Sequence, residues 1–202
     1  FSVEDEWVAT DSTSDAIVEI IDDIAYIGLT GIGVARWDIS NNEWLTTWTD
    51  DNALDNGNED VTALIADIRP GYIWIGGEDG FQLLGTANGT EFYDIEKSNS
   101  LYSGNGDPYD LTMYGYTMYY HQGASSDSIY GIDVANFTSL SPLDAGQRIG
   151  ETGGDIVGLE IIGDTLLASV VSGQWWNQDG SGGIVQYDLS LIHISEPTRQ
   201  PN

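Results

Sequence analysis

The sequence predicts an all-β fold, namely a partial and open β-propeller of about four blades with four antiparallel strands each. Three observations carry this prediction. Short apolar stretches separated by polar turns recur along the 202 residues with a period of roughly forty to fifty residues, which is typical of propeller blades. These stretches are rich in β-branched and aromatic residues, which favours strands over helices. No stretch combines an apolar stripe of helical spacing with a capping residue and a glycine stop.

The period is measured at the second predicted strand of each unit. The positions that we treat as equivalent are Tyr26, Trp74, Tyr119 and Leu167. The intervals between them are 48, 45 and 48 residues. A β-sandwich would explain short strands, but it would not explain their recurrence at a nearly constant interval. The propeller is therefore the preferred interpretation.

The repeat divides the chain into blades, of which the first and last are incomplete. The expected divisions are 1–10 (last strand of a preceding blade), 11–60 (blade 1), 61–108 (blade 2), 109–154 (blade 3) and 155–188 (incomplete blade 4). Residues 1–10 are assigned to a preceding blade because Asp5–Val8 resembles Asn42–Leu45. The predicted third strands are Gly33–Trp37, Phe81–Leu84, Ser128–Ile132 and Gly183–Tyr187. The predicted fourth strands are Glu43–Trp48, Thr90–Tyr93 and, in the third unit, a strand near Asn136–Leu140.

The last residues, 189–202, are expected to be non-native. Residues 189–199 read Leu-Ser-Leu-Ile-His-Ile-Ser-Glu-Pro-Thr-Arg and resemble a translated sequencing-library adapter along their whole length. The chain also begins at Phe1 rather than at a methionine. We therefore expect a metagenomic fragment that is truncated at both ends and that ends before the outer strand of blade 4.

The charge of the chain excludes several kinds of partner. There are 33 acidic and 5 basic residues, which gives a formal net charge of −28. Binding to a nucleic-acid backbone requires Lys and Arg to neutralise phosphates, so no nucleic-acid partner is expected. No apolar run is long enough for a membrane-spanning helix. An acidic surface suits a protein kept soluble in salty water or outside a cell, and the absence of cysteine does not decide the compartment.

Two segments resemble the repeat of the two-component-regulator propeller family. Residues Ala25–Asp38 follow its pattern of an aromatic residue, an apolar residue, Ile-Gly, a polar spacer and an apolar strand that ends in Asp. Residues Tyr72–Phe81 match the central part of the pattern. In the third and fourth units, His121 and Ser169 replace its glycine. The resemblance implies an extracytoplasmic, non-catalytic sensory or binding module, and it transfers no catalytic residue.

The adjacent Trp175 and Trp176 are the candidate ligand-binding residues. They lie in a glycine-rich stretch, Trp175–Gly183, that lengthens the fourth unit beyond the repeat. Neighbouring residues of a strand face opposite sides, so burying both indoles at once is difficult. Exposed aromatic rings can stack on a sugar or contact a protein. We therefore predict a carbohydrate- or protein-binding patch, with one indole filling the space between blades as the alternative.

No catalytic or metal-binding residue is predicted, and no cofactor is expected. The acidic stretch Asp50–Asp60 lacks the ligand spacing of an EF-hand, so a solvated loop is favoured and calcium binding is the alternative. His121 has no second histidine or cysteine near it in the sequence, whereas zinc sites and acyl-transfer triads need partners. We interpret His121 as a residue at the end of a strand.

The sequence thus favours a fragment of an extracytoplasmic, non-catalytic propeller that acts as a binding or sensory module. Its expected location is extracellular, at the cell surface or periplasmic. One alternative is a fragment of a propeller enzyme, either a quinoprotein dehydrogenase or a carbohydrate-active lyase. Residues Asp38–Trp44 resemble the docking strand of quinoprotein propellers, although with a shorter spacing. The other alternative is a structural segment of a surface layer.

Overall fold

A computed structural model of the chain confirms the all-β propeller. The structure describes residues 17–54, 60–96, 108–123, 127–135, 147–171 and 182–192. Four antiparallel sheets follow one another along the chain, and the strands of each sheet pair in sequence order. Three sheets have four strands and the last has three.

The strand bounds define four blades. Blade 1 contains β1 (Ile17–Ile21), β2 (Ile24–Leu29), β3 (Gly33–Asp38) and β4 (Glu43–Trp48). Blade 2 contains β5 (Ala63–Ala66), β6 (Tyr72–Gly77), β7 (Gly80–Gly85) and β8 (Glu91–Glu96). Blade 3 contains β9 (Pro108–Tyr114), β10 (Thr117–Gln122), β11 (Ser128–Asp133) and β12 (Gln147–Glu151). Blade 4 contains β13 (Asp155–Ile162), β14 (Thr165–Val171) and β15 (Gly182–Asp188).

The strand bounds agree with the positions inferred from the repeat. Each of the four equivalent positions is the third residue of the second strand of its blade, as the bounds of β2, β6, β10 and β14 show. The predicted fourth strand of blade 3 near residues 136–140 is wrong, because β12 supplies that strand at Gln147–Glu151. Residues 136–140 lie outside the described residues. The prediction failed because residues 134–146 separate β11 from β12, whereas only 39–42 and 86–90 separate the corresponding strands of blades 1 and 2.

A short helix follows the last described strand. This element, α1 (Leu189–Ile192), forms a single turn. Leu189 is fully buried among residues of blades 3 and 4, and its backbone N–H donates to the carbonyl of Asp164 at 2.8 Å. The first residues of the adapter-like segment therefore continue blade 4 as a helical turn, and the rest of that segment lies outside the described residues. In the described part of the chain, no helix has the length and apolar character needed to cross a membrane.

The apolar core consists of three clusters, and each joins two successive blades. Strand side chains alternate between the face towards the preceding blade (the backward face) and the face towards the next blade (the forward face). Tyr26 on the forward face of blade 1 is 1% exposed and packs in one cluster with Ile73 and Ile75 of blade 2. Trp74 on the forward face of blade 2 is 0% exposed and packs in a second cluster with residues of blade 3. The aromatic position of the repeat thus fills the space between blades.

A polar network also joins blades 2 and 3. The carboxylate of Asp67 accepts hydrogen bonds from Arg69 Nε at 2.6 Å and from Trp74 Nε1 at 2.6 Å. The Nη1 group of Arg69 donates to the carbonyl of Val134 in blade 3 at 3.0 Å, and the guanidinium lies 5.4 Å from the ring centre of Tyr116. The side chain of Asp67 is fully buried, and that of Arg69 is 21% exposed. This network closes one end of the junction between the two blades.

The two outer faces of this arrangement are uncovered, so the described blades form an open arc. Val18 on the backward face of blade 1 is 56% exposed. Ile184 on the forward face of blade 4 is 65% exposed. If blades 1 and 4 packed against each other, both side chains would be buried.

Candidate functional site

The candidate indoles lie in the connection between β14 and β15, which starts and ends on one defined side of the blades. Trp175 and Trp176 lie outside the described residues, so the structure does not place their rings. The flanking strands do fix where the segment starts and ends, because Val171 of β14 pairs directly with Gly182 of β15. The segments between second and third strands in blades 1 and 2 leave the same side, as the pairings of Leu29 with Gly33 and Gly77 with Gly80 show. We call this side of the blades, where the second strands end and the third strands begin, the loop face.

The acidic stretch also lies at the loop face, because it connects the end of β4 to the start of β5. Its first part is ordered by local bonds. The backbone N–H groups of Ala53 and Leu54 donate to the carbonyl of Thr49, and the Asn52 amide donates to the carbonyl of Thr47 at 3.1 Å. Leu54 is 4% exposed and packs in the core between blades 1 and 2. Residues 55–59 lie outside the described residues, and no three acidic or histidine side chains of the described ranges converge as metal ligands.

Beneath the loop face, His121 occupies the junction between blades 3 and 4. It is the penultimate residue of β10 and is 4% exposed. Its ring lies 6.1 Å from that of Tyr109, between centres, and Nδ1 makes no hydrogen bond with any described residue. Burial lowers the pKa of His121 to about 4, which an interaction with the Gly123 backbone only partly offsets. The imidazole is therefore neutral at pH 7 and closed to solvent, which does not suit a general base acting on a bound ligand.

Glycine occupies the position of His121 in blades 1 and 2, and close packing between blades explains it. His121 is the fifth residue of its second strand, and Gly28 is its equivalent in blade 1. A Cβ atom on Gly28 would lie 2.5 Å from Cγ1 of Val61 in the next blade. At the junction of blades 1 and 2, the two sheets therefore approach too closely for a side chain. The junction of blades 3 and 4 instead accommodates an imidazole.

A β-bulge places a half-buried carboxylate at the same junction. Tyr120 pairs with Leu111 and His121 pairs with Tyr109, so Asp110 is left as the extra residue of β9. Its φ of +47° lies in the left-handed region, where a bulge can redirect a side chain. The carboxylate accepts a hydrogen bond from the backbone N–H of Leu159 in blade 4 at 2.5 Å. Burial raises the pKa of Asp110, which the bond from Leu159 only partly offsets.

Sequence reasoning missed this carboxylate, although a signal was present. In blade 1 the side chain of Glu19 accepts a hydrogen bond from the backbone N–H of Ala66 in blade 2 at 3.1 Å. Donor and acceptor are 47 residues apart, and those of the Asp110 bond are 49 apart. An acidic residue within an otherwise apolar first strand, one blade period before the strand that donates to it, is the pattern that would have identified both. These carboxylates link successive inner strands.

Two described polar groups at the junction of blades 3 and 4 thus have structural roles. Asp110 is bonded to the next blade, and His121 is neutral and enclosed. Asp155, at the start of β13, has one buried carboxylate oxygen without a partner among the described residues. This junction lies beneath the segments at the loop face. It presents no described acid and base towards a common reacting position.

Comparison with known proteins supports the architecture alone. No family model matches the chain, and no curated protein matches it. The chain is similar to a solved structure titled U3-55K, with a TM-score of 0.59 and 9% identity over 87% of this chain and 52% of that one. It is similar to the computationally designed Ika4 protein, with a TM-score of 0.55 and 14% identity over 90% of this chain and 96% of that one.

A third similar structure is the extracellular domain of the putative one component system BT4673 from B. thetaiotaomicron. Its TM-score is 0.54 at 14% identity, and the match covers 89% of this chain and 22% of that one. The chain thus spans about half of U3-55K and about a fifth of the BT4673 domain. At these identities the similarity concerns the fold. The chain has the architecture of a β-propeller.

Proposed function

We propose that the chain is part of an extracytoplasmic, non-catalytic propeller that binds a neutral oligosaccharide at the loop face, as a binding or sensory module. The observation that carries the proposal is the pairing of Val171 with Gly182, which sets the start and end of the Trp175–Trp176 segment at the loop face. Binding residues are frequently held on connecting segments above a rigid scaffold. The continuously paired strands β14 and β15 are such a scaffold.

The charge of the chain selects the class of ligand. With 33 acidic residues and 5 basic residues, the surface repels anionic ligands such as acidic polysaccharides. Indole rings contribute large apolar surfaces that suit the ring faces of neutral sugars. The extracellular BT4673 domain, a protein of similar fold, supports the location outside the cytoplasm.

The test is a titration of the purified chain with a panel of neutral hexasaccharides, followed by tryptophan fluorescence and calorimetry. We expect one member of the panel to bind. Trp175→Ala and Trp176→Ala should each weaken binding about five- to thirtyfold, since a stacked ring contributes on the order of 1–2 kcal/mol.

The matched control is Trp44→Ala in β4, which removes an indole that is 41% exposed and lies away from the loop face. It should leave the affinity within twofold. Equal losses for Trp44→Ala and Trp176→Ala, or binding by no member of the panel, would contradict the proposal. Turnover of the bound sugar would contradict its non-catalytic part.

A further inference from the structure

The exposed backward face of blade 1 carries residues that the other blades use for packing. In this blade, Val18 of β1 pairs with Ile27, the fourth residue of β2. The equivalent residues of the following blades are Leu64, Leu111 and Leu159. Those three side chains are 6%, 5% and 6% exposed, whereas Val18 is 56% exposed. The backward face of blade 1 therefore has the composition of an interface between blades but nothing described that covers it.

The forward face of blade 4 shows the same contrast. In this blade, Ile184 of β15 pairs with Ser169, the fifth residue of β14. The equivalent residues of blades 1 to 3 are Val34, Phe81 and Ile129. All three are 0% exposed, whereas Ile184 is 65% exposed, as is Ile162 elsewhere on this face. One end of the arc is therefore a backward face and the other is a forward face. These are the two kinds of face that pack together at each junction between blades.

We propose that a second copy of this chain covers both faces, so that blade 1 of each copy packs against blade 4 of the other. Each junction would repeat the packing seen between blades 1 and 2, 2 and 3, and 3 and 4. Such a head-to-tail contact either closes a ring or extends without limit. Two arcs of four blades make a ring of eight, which lies within the roughly four to eight blades of known propellers. Three arcs would exceed that range.

The charges at the proposed junction permit this contact. On the backward face of blade 1, the first two strands contribute only the apolar residues Val18, Ile20, Ala25, Ile27 and Leu29. The forward face of blade 4 carries Glu160 beside Leu167, so no acidic side chain of these strands faces another. The remaining obstacle is the net charge of −28 on each copy. Salt at about 1 M reduces the Debye length to roughly 3 Å and removes most of that repulsion.

The experiment is a measurement of molar mass by sedimentation equilibrium over a range of protein concentration, from low salt to about 1 M NaCl. We expect the mass to rise with salt from that of the chain, 21.9 kDa, to twice that value and no further. Val18→Asp and Ile184→Asp each place a carboxylate in the junction, and each should weaken the dimer at least tenfold. An equimolar mixture of these two variants should recover dimer, because one of its two junctions contains only natural residues.

The control variant is Ile68→Asp. Ile68 is 51% exposed and lies between β5 and β6, away from both end faces, so this variant should dimerise like the natural sequence. A mass that stays at 21.9 kDa at every concentration and salt would overturn the proposal and assign the end faces to further blades of a longer chain. Masses growing beyond the dimer would overturn ring closure, and equal dimerisation of all three variants would overturn the assigned faces. Circular dichroism of each variant confirms that a lost dimer is not a lost fold.

Discussion

Replacing Asp67 with alanine is expected to lower the free energy of unfolding by about 3 kcal/mol, which is the usual cost of removing one partner from a buried charged pair. The carboxylate receives the Nε group of Arg69 and the indole N–H of Trp74, each at 2.6 Å. Its removal leaves a largely buried guanidinium and a buried indole N–H without their acceptor. Urea unfolding followed by circular dichroism measures the change.

The matched control for this prediction is Asp79→Asn in the exposed turn between β6 and β7. An exposed carboxylate contributes little, so its replacement should change the free energy of unfolding by less than about 0.5 kcal/mol. Arg69→Met keeps an apolar stem beneath Tyr116 but removes the charge, and it should also destabilise the fold. Similar stabilities for Asp67→Ala and Asp79→Asn would show that the network does not hold blades 2 and 3 together.

Acidification is expected to destabilise the chain through His121. Its pKa is about 4 in the folded protein, whereas an unfolded histidine has a pKa of about 6.5. Between these values the unfolded chain binds a proton that the folded chain does not, so stability falls as the pH is lowered. A difference of about 2.5 pKa units corresponds to about 3 kcal/mol lost between pH 7.5 and pH 4.

The comparison that isolates this contribution uses His121→Gln. Both proteins should carry His193→Gln, so that His121 is the one histidine that differs between them. Burial raises the pKa of Asp110, which acts in the opposite direction, but this contribution is common to both proteins and cancels in the difference. The loss of stability on acidification should be about 3 kcal/mol smaller in His121→Gln. An imidazole that titrates near pH 6.5 in an NMR experiment would contradict the prediction.

The sequence was sufficient to predict the blade period, because that period depends on local features. Apolar strands, polar turns and an aromatic residue such as Tyr26 or Trp74 recur wherever two sheets must pack. The fourth strand of blade 3 was predicted at the wrong place, because nothing local states how long the connection after β11 is. A strand of five residues, Gln147–Glu151, gives a weak signal when its pairing partner lies far back along the chain.

The interactions between blades were less accessible from sequence. A carboxylate such as Asp67 or Asp110 looks like any other in a chain with 33 acidic residues. Its role depends on a donor in another blade or, for Asp110, on a bulge that turns the side chain towards that donor. The same limit applies to the candidate site. The Trp175–Trp176 segment was identified by composition, while its place at the loop face required the register of β14 and β15.

The pairwise arrangement of the three core clusters has a consequence for the order in which the fold opens. Blades 2 and 3 each pack against two neighbours, whereas blades 1 and 4 each pack against one described neighbour. When units contact only their neighbours, terminal units open at lower free energy than central ones. The amide protons of β2 and β14 should therefore exchange with deuterium sooner than those of β6 and β10. In a closed ring every blade has two neighbours, and this gradient of protection would disappear.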